Sequence, residues 1–211
     1  MNRKPVVLLF ALLLSMMISS CSLLEQTRAL DRFAKSRFEL VGFRPLNIAG
    51  IDVSTKHQFS DFNYHEIFQL GKRFFSRDLP SRVALQVRAT NPFMKQASIT
   101  GLSWIVMLKQ DTLAVGNIKQ RIDIKPLSET RFPLVVQFNL LRLLHSGSLD
   151  KVLNLFLNQT NESDKMQQLG LMIKIKPWYM LGKKLKKYPG YITIKPNSKQ
   201  IKTSVTATRF K

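Results

Sequence analysis

Chemistry in this 211-residue chain must come from a short inventory, because it holds a single cysteine, Cys21, and three histidines, His57, His65 and His145. His65-Glu66 begins the helical pattern of a zinc protease, but position 69 is glutamine, so the second histidine of the ligand pair is missing. One thiol supports neither a cysteine-based structural zinc site nor an internal disulfide. No glycine-rich phosphate loop and no Gly-x-Ser-x-Gly elbow occurs. The histidines therefore read as solvated or hydrogen-bonded side chains, and the sequence predicts no enzyme, no metal and no cofactor. Binding chemistry remains. Trp178-Tyr179 lies among Lys174, Lys176, Lys183, Lys184, Lys186 and Lys187. Amphipathic aromatics beside lysines suit an anionic lipid or glycolipid head group, or stacking on a sugar. The same pair would equally serve the interior, with Trp178 capping the core and Tyr179 packing beside it. Asp111-Thr112-Leu113 is a lesser candidate, with Thr112 in a short O-glycosylation acceptor pattern at an expected hairpin tip.

Cys21 stands at the end of an export signal. Arg3 and Lys4 supply a positive start, Val6 to Ile18 is an apolar run, and Ser19-Ser20 precede the cysteine. The run is shorter than the roughly 18 residues a membrane-spanning helix needs. Small residues before a cysteine give a lipoprotein signal peptidase access to the peptide bond, and the pattern resembles a bacterial lipoprotein. The resemblance implies a mature chain that begins at Cys21 and carries a thioether-linked diacylglycerol and an acylated amino terminus, palmitate among the acyl groups. The covalent lipid on Cys21 would be the only non-protein group. Several acyl chains hold a protein far more firmly than one, at about 0.8 kcal/mol per buried methylene. The expected location is the cell envelope, and Ser22, in place of an aspartate that retains lipoproteins in the inner membrane, points to the outer one.

Loss of Arg3 and Lys4 with the signal leaves 31 basic against 13 acidic residues, a formal charge of +18. Eleven of those basic residues fall between Gly170 and Lys211, a segment with no Asp or Glu. Such a field attracts anionic surfaces and weakens with salt. Export argues against nucleic acid as the partner, which leaves anionic lipids, glycolipids or cell-wall polymers, with a protein partner undefined. Lysines that keep strand edges soluble and unpaired are the competing reading.

The elements that would position these residues are mainly strands. Ser22 to Arg37 reads as a short helix or a tether. Phe38 to Val53 reads as strand, break at Arg44-Pro45, strand. Ser60 to Phe75 does not alternate, and Asn63 with Glu66 forms a helix-entry capping pair. Val83, Leu85, Val87 and Ala89 alternate with more polar residues until Asn91-Pro92 ends the strand. Ile99 to Lys109 and Leu113 to Ile124 read as a hairpin of two strands, with Gly116 as a bulge. Phe132, Leu134, Val136 and Phe138 alternate in the next strand. Leu141 to Leu157 suits a helix, Leu171 to Pro177 and Tyr191 to Pro196 read as strands joined by a lysine-rich connection, and 201–208 reads as an edge strand or a tail.

Residues 83–93 (VALQVRATNPF), 99–108 (GLSW within ITGLSWIVML), 113–116 and 124–136 resemble the strand series of type 2 late embryogenesis abundant proteins, which share the domain associated with water stress and hypersensitive response. The likeness covers residues 46–140. It implies an immunoglobulin-like or fibronectin-III-like β-sandwich without catalytic residues, and a protective or membrane-associated role. The helical stretch near 141–165 and the high positive charge depart from that family.

The expectation is thus a mainly β protein, a sandwich of about seven or eight strands with one or two accessory helices. Residues 1–20 form the signal, 21–37 the lipidated N-terminus and tether, 38–196 the sandwich with a helical insertion near 141–165, and 197–211 a basic tail or edge strand. Its function would be that of a non-enzymatic, membrane-anchored structural or stress-protective lipoprotein. The alternative is a periplasmic carrier or assembly factor that holds an apolar ligand or partner protein in the sandwich.

Overall fold

A computed structural model describes residues 24–143, 153, 156, 157, 166 and 170–196. The expected signal at 1–20, Cys21, His145, most of the expected helical insertion near 141–165 and the segment 197–211 lie outside the described residues. Where the sequence allows a helix or a tether, residues 24–34 form helix α1, which buries Leu30 and Phe33 in the core. A helix this short is marginal alone, but burial of two such side chains contributes about 1.5–3 kcal/mol each. Strand β1 (Arg37–Ile48) follows, then β2 (Ile51–Asp52) and helix α2 (Tyr64–Phe75). Next come β3 (Pro80–Thr90), β4 (Ala97–Ile99), β5 (Gly101–Leu108), β6 (Asp111–Ile118), β7 (Ile122–Ile124) and β8 (Glu129–Asn139). A short 3-10 turn, Leu140–Leu143, precedes β9 (Leu171–Leu181), β10 (Lys184–Lys187) and β11 (Ile192–Ile194).

The expected capping pair opens α2. Asn63 Oδ1 accepts the Glu66 N–H at 2.9 Å, and the Glu66 carboxylate accepts the Asn63 N–H at 2.9 Å. Those bonds, reinforced by Lys56 Nζ at 3.0 Å, hold the Glu66 carboxyl below its ordinary range. The capping contribution is therefore present above the unfolded carboxylate pKa, about 4.3, and is lost as pH falls through the lowered folded value.

Pairing overturns the single sandwich. Among the described residues the strands form three sheets, β2-β1-β3-β8, β10-β9-β5-β6 with β11 also on β9, and the pair β4-β7. The four- and five-stranded sheets curl as two half-barrels, and with the two helices the chain is a mixed α/β fold. It is not the mainly β immunoglobulin- or fibronectin-III-like sandwich of seven or eight strands.

The physical reason lies in two strands that the sequence reads as continuous. Residues 99–109 and 113–124 are each cut, and the outer pieces leave to pair as β4 with β7, Ile99 facing Ile122. Gly101, the first residue of β5, stands just past the first cut. A Cβ there would press on the Ile118 carbonyl and stand 3.0 Å from the Trp178 ring. Arg44-Pro45 does not break β1, because the register shifts between Leu40 and Gly42 and between Pro45 and Asn47 absorb the irregularity. Gly116 is not a bulge either. The shift lies between Val106 and Met107, opposite Ala114 and Thr112, which leaves Leu113 as the extra residue. Gly116 is needed because the buried indole of Trp104, its cross-strand partner, fills the space of a Cβ.

One contiguous core lies between the sheets. Leu40, Val83, Leu85, Val87, Leu134 and Val136 of the four-stranded sheet meet Leu102, Trp104, Val106, Ile173 and Ile175 of the five-stranded one. Leu153, Phe156, Leu157 and Met166, all helical, are buried with them. Phe156 meets Phe43 and Phe138 edge to face, with ring centroids 5.3 and 6.4 Å apart.

Where the sheets part company, Asn91 is 1% exposed. Its Nδ2 donates to the carbonyls of Lys95, Ile124 and Lys125 at 2.9, 3.2 and 3.0 Å, and its Oδ1 accepts from Phe93 N at 3.0 Å. The backbone adds Asn91 N to Ser128 O at 2.9 Å. The residue that ends β3 therefore also ties down the starts of the chain toward β4 and β8. Asn91→Ala should cost about 2–4 kcal/mol, since it strips buried carbonyls of their donors. Asn91→Asp should cost as much, because a carboxylate cannot donate. Urea unfolding of both variants tests this, and a midpoint unchanged in Asn91→Asp would show that the donated bonds are dispensable.

Candidate functional site

The lysines and aromatics singled out in the sequence all belong to β9, β10 and the turn between them. Residues from Gly170 to Pro196 include no Asp or Glu, and among the described residues their lysines make no ion pair with one. The pleat divides the cluster. Successive side chains of a strand point to opposite faces, and β9 buries Leu171, Ile173 and Ile175 while Met172, Lys174 and Lys176 are half-buried on the outer face. Trp178 shares that outer face, and Lys187 is its cross-strand partner on β10. Lys184 and Lys186 pair with Leu181 and Tyr179 and so share the opposite face. Lys183 occupies the turn, and all four lysines from 183 to 187 are exposed.

Trp178 and Tyr179 divide between the two faces of β9. Tyr179 is the one packed against the core, half-buried. Trp178 is only 9% exposed, yet it stands outside the core on the outer face. It lies across the bare backbone of Gly101, its partner on β5, and its Nε1–H donates to Ser103 Oγ at 2.9 Å. The Lys187 ammonium sits 5.6 Å from the indole centroid, and Lys176 sits 5.0 Å from the Tyr191 centroid. Both distances are in the cation–π range. The face so formed is an aromatic pair bracketed by Lys174, Lys176 and Lys187, bordered by exposed Leu185 and Val115. It can offer cations to phosphate or carboxylate groups and apolar edges to acyl chains or sugar rings.

Sequence reading missed the two residues that seat Trp178. Gly101-x-Ser103 supplies a gap and an acceptor, and a glycine two residues before a serine in a strand was the available signal. It also missed β10, read as a lysine-rich connection, because four residues, three of them lysine, carry no apolar alternation. Pro177 is tolerated in the middle of β9 because its N and O face the same edge, where its carbonyl accepts from Tyr188 N at 2.8 Å. That edge is the gap between β10, which ends opposite Trp178, and β11, which starts opposite Ile175.

The remaining candidates stand apart from this face. Thr112 is exposed on β6, just past the Lys109-Gln110 turn rather than within it, and its carbonyl accepts from Arg142 Nη2 at 3.2 Å. His57 and His65 are exposed, on a loop and in the first turn of α2. Among the described residues no three His, Cys, Asp or Glu side chains come together as metal ligands. No described helix is long and apolar enough to cross a membrane. Two open clefts lined by described residues flank the sheets. One, of ≈ 450 Å³, lies between α1 and the neck of the β9–β10 hairpin, and the other, of ≈ 870 Å³, lies along the facing edges of β6 and β8. Helix α2 exposes Tyr64, Phe68 and Phe75 in a line, at 87%, 66% and 86%.

No family model matches this chain, and no curated protein matches it. It is similar to a solved structure described as a protein from Archaeoglobus fulgidus, at 13% identity and a TM-score of 0.30, over 54% of this chain and 80% of that one. A likeness so slight assigns neither fold nor function.

Gly101→Ala tests the tryptophan seat. The added methyl should displace the Trp178 ring, shift tryptophan emission to the red and lower stability by about 1–3 kcal/mol. Emission identical to that of the parent protein would mean that the ring is not held as described.

Proposed function

We propose that this protein is a lipid-anchored, non-enzymatic envelope protein, attached through Cys21, that presents its C-terminal strands to an anionic lipid or glycolipid surface in a structural or protective role. The observation that carries the reading is the charge distribution on the two outer sheet faces. On the four-stranded sheet, Arg88 lies 3.5 Å from both Glu39 and Glu129, and Arg131 lies 3.4 Å from Glu129. On the five-stranded sheet the one acidic residue is Asp111, at the start of β6, and β5, β9, β10 and β11 carry none. Among the described residues its lysines make no ion pair with a carboxylate, and they surround an indole, that of Trp178, which is 9% exposed. Solvated lysines on the edge strand β10 would also discourage edge-to-edge association, but that need does not extend to Lys174 and Lys176 on the interior strand β9.

The carrier reading would rest on the open cleft of ≈ 870 Å³ along β6 and β8, lined in part by Trp104, Ile122 and Phe132, while the core behind it gathers apolar side chains of both sheets. The outer membrane as location comes from the signal and from Ser22. The protective role comes from the sequence resemblance over residues 46–140, not from the sheet architecture.

The test is sedimentation of residues 22–211 with anionic and neutral vesicles across a salt series, beside a variant with Lys183, Lys184, Lys186 and Lys187 changed to Gln. Binding should be confined to anionic vesicles, fall steeply with salt and drop at least tenfold in the variant. Equal binding to neutral vesicles, or none to either, would defeat the anionic-surface reading and leave the lysines as protection for a strand edge.

A further inference from the structure

The position of α1 fixes which end of the domain faces the membrane. Only Ser22 and Leu23 separate Cys21 from Leu24, where α1 is already helical. Three residue steps span at most about 10 Å even when fully extended. Helix α1 is not a spacer, because Leu30 and Phe33 are buried in the core, and Arg32 ties it to the body by donating to the Gln96 carbonyl at 2.8 Å. The lipid on Cys21 therefore cannot stand farther from the folded domain than that leash allows. At this same end, Glu25 and Gln26 of the first helical turns share the walls of one cleft with Tyr179 and Met180, the neck of the β9–β10 hairpin.

That hairpin has the composition of a membrane-contacting element. Leu181 and Leu185 are 44% and 50% exposed, one on each face of the ribbon, since Leu181 pairs with Lys184 and Leu185 with Met180. Lys183, Lys184, Lys186 and Lys187 alternate with them at head-group reach, and Leu24 adds a third exposed leucine beside the leash at 51%. Exposed aliphatic tips ringed by lysines match an anionic leaflet, apolar below and phosphate above.

We propose that the β9–β10 hairpin docks end-on into the leaflet that holds the Cys21 lipid, with Leu181 and Leu185 entering the acyl boundary and the lysines from 183 to 187 meeting the phosphates. This inference depends on lipidation of Cys21. It deepens the surface reading by choosing the hairpin end over the flat sheet face. Lys174 then stands seven residues up β9 from Leu181, about 23 Å at strand rise, beyond the roughly 8 Å over which salt lets charges interact. The exposed line of α2 lies at the other end of β1, where Gln69 Nε2 donates to the Ala49 carbonyl, and it faces away from the bilayer.

The experiment uses the full chain, purified from membranes and reconstituted into vesicles of phosphatidylethanolamine and phosphatidylglycerol. Lys183→Cys and, as a reference, Phe75→Cys each receive an environment-sensitive thiol probe. A lipidated Cys21 has no free thiol, so each variant should take one label. The label at 183 should emit to the blue of the label at 75 and be quenched by lipids brominated in the acyl chain, while that at 75 is not. Adding Leu181→Ser and Leu185→Ser should abolish the quenching at 183. One label per chain with solvent-like emission at 183 would overturn the end-on docking and leave the anchor intact. Two labels per chain would show a free Cys21 thiol and remove the anchor and the docking together.

Discussion

A buried amide holds the architecture together. Asn91 closes β3, but its side chain reaches the backbone before β4 and after β7, through the carbonyls of Lys95, Ile124 and Lys125. An unsatisfied buried carbonyl or amide costs a large part of what a domain has to spare. The bonds of Asn91 therefore fix where the chain leaves the four-stranded sheet and how the small β4–β7 pair sits. From that pair the chain turns through Thr100, whose N–H donates to the Trp178 carbonyl at 2.9 Å, into β5. The registers of β5 with β9, and of β9 with β10, follow from there. The seat of Trp178 is thus linked, through backbone hydrogen bonds, to an asparagine on the other sheet.

Charge is organised by the same pleat that organises the core. The basic residues of β9 and β10 form one segment in sequence but two groups in space, Lys174, Lys176 and Lys187 beside Trp178, and Lys184 and Lys186 on the other side of the ribbon. Only toward the hairpin tip do the groups converge, because a two-stranded ribbon presents both faces at its end. Repulsion among these lysines opposes their accumulation, and among the described residues no carboxylate forms an ion pair with them.

The sequence shows clearly what is local. The capping pair Asn63–Glu66 is set by residues three apart and appears in the structure with both reciprocal bonds. The alternation in β3 and β8 is likewise local, and the buried residues Val83, Leu85, Val87, Phe132, Leu134, Val136 and Phe138 follow it. Legibility fails where a strand's partner is distant. Ile99 and Gly101 look like parts of one strand because each has a neighbour of the right polarity two positions on. Nothing within those residues says that one pairs with Ile122 and the other with Trp178.

Composition and short-range pattern determined the apolar run before the lone cysteine, the charge concentrated after Gly170, the capped helix and the existence of most strands. Tertiary structure alone decided the number of sheets, the split of two strands between them, and which face of β9 each of Trp178 and Tyr179 joins. A period of two states that neighbours face opposite sides, but not which side is inside. That choice is made by cross-strand partners seventy or more residues away, such as the bare Gly101 and the Ser103 hydroxyl that receive the indole.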